Sequence, residues 1–277
     1  MEYAERGRGE PVLAVHGTLG GWDQGLVGAE FLRLNGYRVI APSRPGYLGT
    51  PLATGRSFAA QGDALAALLD ALDIDAVTVC GVSGGGPASY ELAARHPGRV
   101  TRLVQVDSVC VPGPIPGRLS RIAARDVSAK VQLWLLHHAT KQTLSVLLQG
   151  AGTYSRSEAA ERAGTLAAVP GRTAQLEAVL TASLGSARRR AGMRNDFTPF
   201  EPAALQRIVC PTLIVHGRRD KIVPPANVHY AETRIPDCDV HWMDGSHVAF
   251  ALEAADTAPA VVVEWLSGLA SLTRLDP

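Results

Sequence analysis

Apolar positions along the chain follow two patterns. Short runs rich in valine, isoleucine and leucine, among them Val12-Leu13-Ala14-Val15, Val39-Ile40-Ala41, Val77-Thr78-Val79-Cys80, residues 100–107, Leu213-Ile214-Val215 and residues 239–243, end at glycine, proline or polar turns. Runs of that length bounded by turn residues read as buried strands. Between them the apolar spacing becomes helical. Ser57 is placed to cap a helix in which Leu65, Leu68, Leu69 and Leu72 fall at i, i+3, i+4 and i+7. Helices are also expected over 87–96, stopped by Pro97-Gly98, over 226–235, and in a closing segment where Val262, Trp265, Leu266 and Leu269 are in phase. Strands alternating with helices predict an α/β protein with a mostly parallel central sheet and helices on both faces.

The strand pattern vanishes between residues 112 and 200. Residues 127–148 are long and apolar, Ser155-Arg156-Ser157-Glu158 has the spacing of a capping box, and Thr173 precedes Leu176, Val179, Leu180 and Leu184 on one helical face. This segment far exceeds the roughly one dozen residues that a strand-to-strand crossover needs. The expected organisation is therefore an α/β core made of residues 1–111 and 201–277, with an all-helical insertion over 112–200.

Composition narrows the partners. With 46% hydrophobic and 19% charged residues, the chain has ample material for a core, and a formal net charge of +1 gives no reason to expect nucleic acid or an anionic membrane surface. The expected partner is a small molecule held in a pocket; composition sets no oligomeric state. Acidic residues near the start with no following apolar stretch, and no apolar run of about 18 residues, predict a cytoplasmic protein without a membrane span. Cys80, Cys110, Cys210 and Cys238 lie far apart, so free thiols are expected rather than disulfides or a zinc site. No metal or other cofactor is expected: histidines and carboxylates show no zinc-ligand spacing, and the glycines at 84–86 lack the Lys-Ser/Thr pair of a phosphate loop.

The chemistry concentrates where strands end. Gly81-Val82-Ser83-Gly84-Gly85 fits G-x-S-x-G, in which small flanking residues let a serine project above the sheet on a strained turn. Asp220 and His247 each follow another predicted strand, and catalytic groups of parallel sheets collect at those carboxyl ends. Because a serine hydroxyl is a weak nucleophile, it needs a base, and the base needs an acceptor to fix its tautomer. Ser83, His247 and Asp220 are the candidates for these roles. A tetrahedral intermediate also needs backbone N–H donors, for which Gly84 and Thr18 are the candidates.

His16-Gly17, Arg44-Pro45-Gly46-Tyr47, Gly81-Val82-Ser83-Gly84-Gly85, Gly217-Arg218-Arg219-Asp220 and Gly245-Ser246-His247 occur in the order found in the α/β-hydrolase family, which the chain resembles along nearly its whole length. The resemblance implies that the helical segment is a lid and that His16 supports the oxyanion loop rather than acting as base. It also makes Asp107, which ends a strand where some members carry their acid, the competitor of Asp220. A serine nucleophile argues against the dehalogenase and epoxide-hydrolase branches, which use aspartate.

The implied activity is hydrolysis of an ester-like bond through an acyl-enzyme on Ser83. Hydrolysis of an activated carbon–carbon bond, perhydrolase chemistry and a slow ligand-binding member of the fold are the alternatives. Further expectations concern the surroundings: a largely apolar pocket under a lid that includes Trp134, surface or packed positions for His137, His138, His216 and His241, a turn-organising Asp244, and a solvated lid face for Arg188, Arg189, Arg190 and Arg194.

Overall fold

The computed structural model describes residues 1–113 and 126–268. Its strands are β1 (Tyr3–Arg6), β2 (Pro11–Val15), β3 (Arg38–Pro42), β4 (Val77–Val82), β5 (Val100–Val106), β6 (Thr212–Gly217) and β7 (Cys238–Met243). They form one sheet in the order β1-β3-β2-β4-β5-β6-β7, in which only β1 runs antiparallel. Around it lie α1 (Trp22–Gly28), α2 (Glu30–Leu34), α3 (Phe58–Ala71), α4 (Gly86–Arg95), α5 (Asp126–His138), α6 (Thr140–Ala151), α7 (Arg156–Ala167), α8 (Ala174–Ala182), α9 (Arg190–Asp196), α10 (Ala226–Glu232) and α11 (Ala258–Leu266).

The contiguous apolar runs have their explanation in this sheet, whose parallel strands are covered on both faces. Leu13 and Val15 of β2 point into one cluster with Leu65 and Leu69 of α3 and Leu92 of α4. Val12 and Ala14, one residue out of phase, join the opposite cluster with Leu26 of α1, Leu32 of α2 and Val262 and Trp265 of α11. Register then fixes the site: Val15 pairs with Gly81, Val82 with Val106, and Val106 with Val215, so the loops leaving β2, β4, β5 and β6 emerge side by side at one edge.

Local signals account for the helix starts. Ser57 Oγ accepts the Ala60 N–H at 3.1 Å. Ser155 and Glu158 form a reciprocal capping box at 3.2 and 2.8 Å. The apolar stretch 127–148 is two helices rather than one, because the backbone breaks at Ala139 (φ −144°, ψ 50°). That break lets Leu136 of α5 and Leu144 and Leu148 of α6 enter one cluster with Ala159 and Ala163 of α7 and Leu176 of α8. Thr173 does not cap α8 through the backbone; its hydroxyl donates to Glu177 at 2.5 Å.

Strand β1 and helices α1 and α2 carry sequence patterns too short or too mixed to have been expected. Leu269 of the closing helix and residues 114–125 of the expected insertion lie outside the described residues. Among the described residues, no helix is long and apolar enough to cross a membrane. The four cysteines are free thiols, three of them buried.

Candidate active site

Strand β4 delivers Ser83 into a backbone conformation that non-glycine residues rarely adopt, φ +49°. Its flanking glycines are required by contact. A Cβ on Gly81 would lie 2.5 Å from Ser89 Oγ, and one on Gly85 would lie 2.5 Å from both the Val15 and the His16 carbonyl oxygens. With β4 and α4 packed this closely on β2, the serine hydroxyl is presented at the sheet edge.

Three of the expected residues meet there. Ser83 Oγ is 3.0 Å from His247 Nε2, and His247 Nδ1 is 2.7 Å from Asp220 Oδ2. Asp220 is fully buried on the turn after β6, where its Oδ1 accepts the N–H groups of Ile222 and Val223, each at 2.8 Å. Those bonds fix the carboxylate so that its second oxygen faces the imidazole. Burial by itself would pull His247 below its ordinary value, but the Asp220 carboxylate bonded to Nδ1 holds it above 6.5.

The loop around His247 is pinned from below. Ser246 donates its N–H at 3.0 Å and its hydroxyl at 2.5 Å to Glu253 Oε2, whose other oxygen accepts from Tyr154. The Ala151 carbonyl, at the end of α6, accepts the N–H groups of both Lys221 (3.0 Å) and His247 (3.2 Å).

Asp107 is close but does not reach His247. Its Oδ1 accepts the Gly217 N–H at 2.9 Å and lies 3.8 Å from His216 Nδ1. Burial, reinforced by the Asp220 charge, pushes its carboxyl up to about 8. His216 lies between the two acids, is held by the Val223 carbonyl at 2.9 Å, and is shifted below 6.5 by burial. One potential ligand atom from each of Asp107, His216 and Asp220 lies within 4.8 Å of the others. Both Asp220 oxygens, Asp107 Oδ1 and His216 Nε2 are hydrogen-bonded to protein groups, so the cluster is a buried polar network that includes the partner of His247.

The loop after β2 faces Ser83. The Cβ that Gly84 lacks would lie 3.1 Å from the Thr18 backbone nitrogen and 2.2 Å from Thr18 Oγ1, so Thr18 and Gly84 are adjacent. His16 is buried; its Nε2 accepts the Arg44 N–H at 2.9 Å and its Nδ1 donates to Gly17 O at 2.7 Å. Burial and the Arg44 charge hold it well below 6.5, so this histidine is neutral scaffolding.

Two cavities meet at Ser83 and Thr18. The smaller, about 200 Å³, is bounded by Val82, Phe31, Leu176, Val179, Phe250 and His247 among others. The larger, about 490 Å³, is bounded by Phe58, Pro87, Val109, Phe197, Phe200 and Ile222 among others. Neither has a lysine or arginine among its described lining residues.

Several expectations require correction. Trp134 borders neither cavity; it is 58% exposed and stacks on His138 at 4.4 Å. The apolar lining comes instead from α8 and from Phe197 and Phe200. Arg189 is no solvated lid residue: it is 3% exposed and donates to Gly20 O (2.6 Å) and Asp23 (2.5 Å), whereas Arg188, Arg190 and Arg194 are exposed. The Asp244 carboxylate is largely exposed and pairs with Arg162 of α7 at 2.6 Å, so it links α7 to the β7 end rather than shaping its own turn. Sequence reading missed Gln24, whose Oε1 accepts the Gly17 N–H at 2.9 Å, and also Glu253 and Asp196.

Residues 10–254 match the model of a family described as alpha/beta hydrolase fold, and the chain belongs to that family. By class it is a hydrolase. It is similar to the pimeloyl-(acyl-carrier protein) methyl ester esterase of Aromatoleum aromaticum, 32% identical over 80% of this chain and 85% of that one. A 2-hydroxymuconate semialdehyde hydrolase of Pseudomonas putida is 30% identical over 86% of this chain and 80% of its own. An alpha/beta hydrolase fold protein from Nakamurella multipartita superimposes with a TM-score of 0.83 at 33% identity, covering 96% of this chain and 94% of the other.

Proposed function

We propose that the protein is a serine hydrolase that cleaves an ester-like bond of a small, largely apolar substrate through an acyl-enzyme on Ser83. The observation that carries this reading is the hydrogen-bonded line Ser83–His247–Asp220 ending at the junction of two apolar cavities. His247 takes the Ser83 proton as Oγ attacks the carbonyl carbon, Asp220 stabilises the imidazolium, and the Thr18 and Gly84 N–H groups receive the oxyanion. Collapse of the intermediate returns the proton to the leaving alcohol. Water then repeats the sequence on the acyl-enzyme. Residues 112–200 act as the lid, since α8 and residues 197–200 supply walls to the cavities.

Turnover of p-nitrophenyl esters across acyl lengths tests this. Native protein should show turnover with uncharged acyl esters of medium length preferred, and Ser83→Ala and His247→Ala should each lose at least about a thousandfold in kcat. A folded protein with no ester turnover, or a Ser83→Ala variant that keeps it, overturns the reading.

The relative that hydrolyses 2-hydroxymuconate semialdehyde favours a second reading, carbon–carbon bond hydrolysis by the same three residues. That substrate carries a carboxylate, and the described cavity walls offer it no cationic side chain.

A further inference from the structure

The oxyanion loop is fixed by a residue from outside the α/β core. Asp196 closes α9, in the segment between β5 and β6, and its side chain is 4% exposed. Its Oδ2 accepts from Thr18 Oγ1 at 2.9 Å, Arg44 Nη2 at 2.7 Å and the Tyr47 hydroxyl at 2.6 Å, while Oδ1 accepts from Arg44 Nη1 at 2.9 Å. Arg44 is equally buried, and its Nε donates to the His16 carbonyl at 3.0 Å.

These bonds surround one peptide group. Gly17 O accepts from His16 Nδ1 at 2.7 Å and from the Gly20 N–H at 3.1 Å. In a trans peptide the N–H points opposite the C=O, so gripping Gly17 O on one side turns the Thr18 N–H to the other, where Gly84 lies. The peptide could still rock about its ends. Asp196 holds the Thr18 side chain directly and the His16 carbonyl through Arg44, which blocks that motion at both ends.

We propose that Asp196 is a positioning residue: through Thr18 and Arg44 it holds the Thr18 N–H at the oxyanion position, making the donor's aim depend on α9 being docked. This rests on the acyl-transfer reading above. A carboxylate is the group the site requires. Four hydrogen bonds converge on it, two of them from a buried guanidinium, and an amide at that position would supply donors of its own where only acceptors are wanted. Asp196 borders the larger cavity, yet four donors already occupy its oxygens, so the role is to orient and not to bind substrate.

The test compares native protein with Thr18→Val, Thr18→Ser, Asp196→Asn and the Thr18→Val/Asp196→Asn double variant, measuring kcat, KM and melting temperature with a p-nitrophenyl ester. Affinity for an uncharged alkyl boronic acid, whose tetrahedral adduct on Ser83 places an oxygen at the oxyanion position, is the second readout. Thr18→Val keeps the backbone donor and the Arg44–Asp196 pair, so it isolates positioning even if Asp196→Asn folds poorly. It should lower kcat about 10- to 100-fold with KM changed less than about twofold, and weaken boronate binding by a similar factor. Thr18→Ser should restore both, and in the double variant Asp196→Asn should add less than its separate effect. Wild-type kcat in Thr18→Val, losses confined to KM, or independent multiplication of the two effects overturns the proposal. Ser83→Ala assayed alongside separates the cases: retained turnover there overturns the acyl-transfer reading itself.

Discussion

In the proposed mechanism His247 must be neutral to accept the Ser83 proton, and Asp220 holds its titration above 6.5 despite burial. The acid limb of kcat/KM should therefore fall as pH drops through a value above 6.5. Asp220→Asn removes the charge that raises it, so a pH–rate profile of that variant should show the limb displaced to lower pH, with kcat reduced on the order of 10⁴-fold. Asp107 supplies a separate test. Its carboxyl is raised from 3.8 to about 8, so the stability associated with its protonated form is complete below about 4 and is lost as pH rises through 8. Asp107→Asn keeps an oxygen for the Gly217 N–H but cannot ionise. Thermal unfolding between pH 5 and 9 should show a flatter melting temperature for the variant, with its advantage over the native protein growing at the alkaline end. At this scale the site was half legible. Ser83 and His247 announce themselves by glycines within two positions and by the strands that precede them, whereas Asp196 meets Thr18 across 178 positions, and no pattern confined to its neighbours could have shown it.

Elements were legible wherever one rule sufficed. The parallel strands are buried on both faces and so are continuous in sequence, and α3 repeats leucine on a helical period behind a serine cap. The short β1, α1 and α2 obey no long period, and the break at Ala139 falls inside the stretch 127–148, which has no glycine or proline to mark it. The junction of β4 and α4 makes a measurable claim at this scale. Gly85→Ala should cost about 1–3 kcal/mol in denaturant unfolding, since its Cβ meets two carbonyl oxygens of the β2 end at 2.5 Å. Gly98→Ala, with nothing within 4 Å, should lie within about 0.5 kcal/mol of the native protein.

For the whole molecule, a formal net charge of +1 leaves little net long-range field to guide a charged substrate. With an ester that carries a remote charge, kcat/KM should change less than about twofold between roughly 10 and 500 mM salt, a range over which steered association would weaken markedly. The arrangement of the chain in space was less readable than its class. The β–α alternation implied a parallel sheet. How the helices between β5 and β6 tie themselves to the loops beneath them became visible only as contacts between residues distant in sequence.

One such tie, the Ala151 carbonyl shared by Lys221 and His247, bears on how the protein is made. The turns that carry Asp220 and His247 both lean on the end of a helix that belongs to neither, so in the proposed mechanism a chain whose sheet has formed would still lack an aligned base. After dilution from denaturant, ester turnover should return more slowly than far-ultraviolet circular dichroism, and the lag should lengthen in a Leu148→Ala variant that weakens the packing of α6. If that lag is seen, returning activity reports the docking of α6 rather than the formation of the sheet.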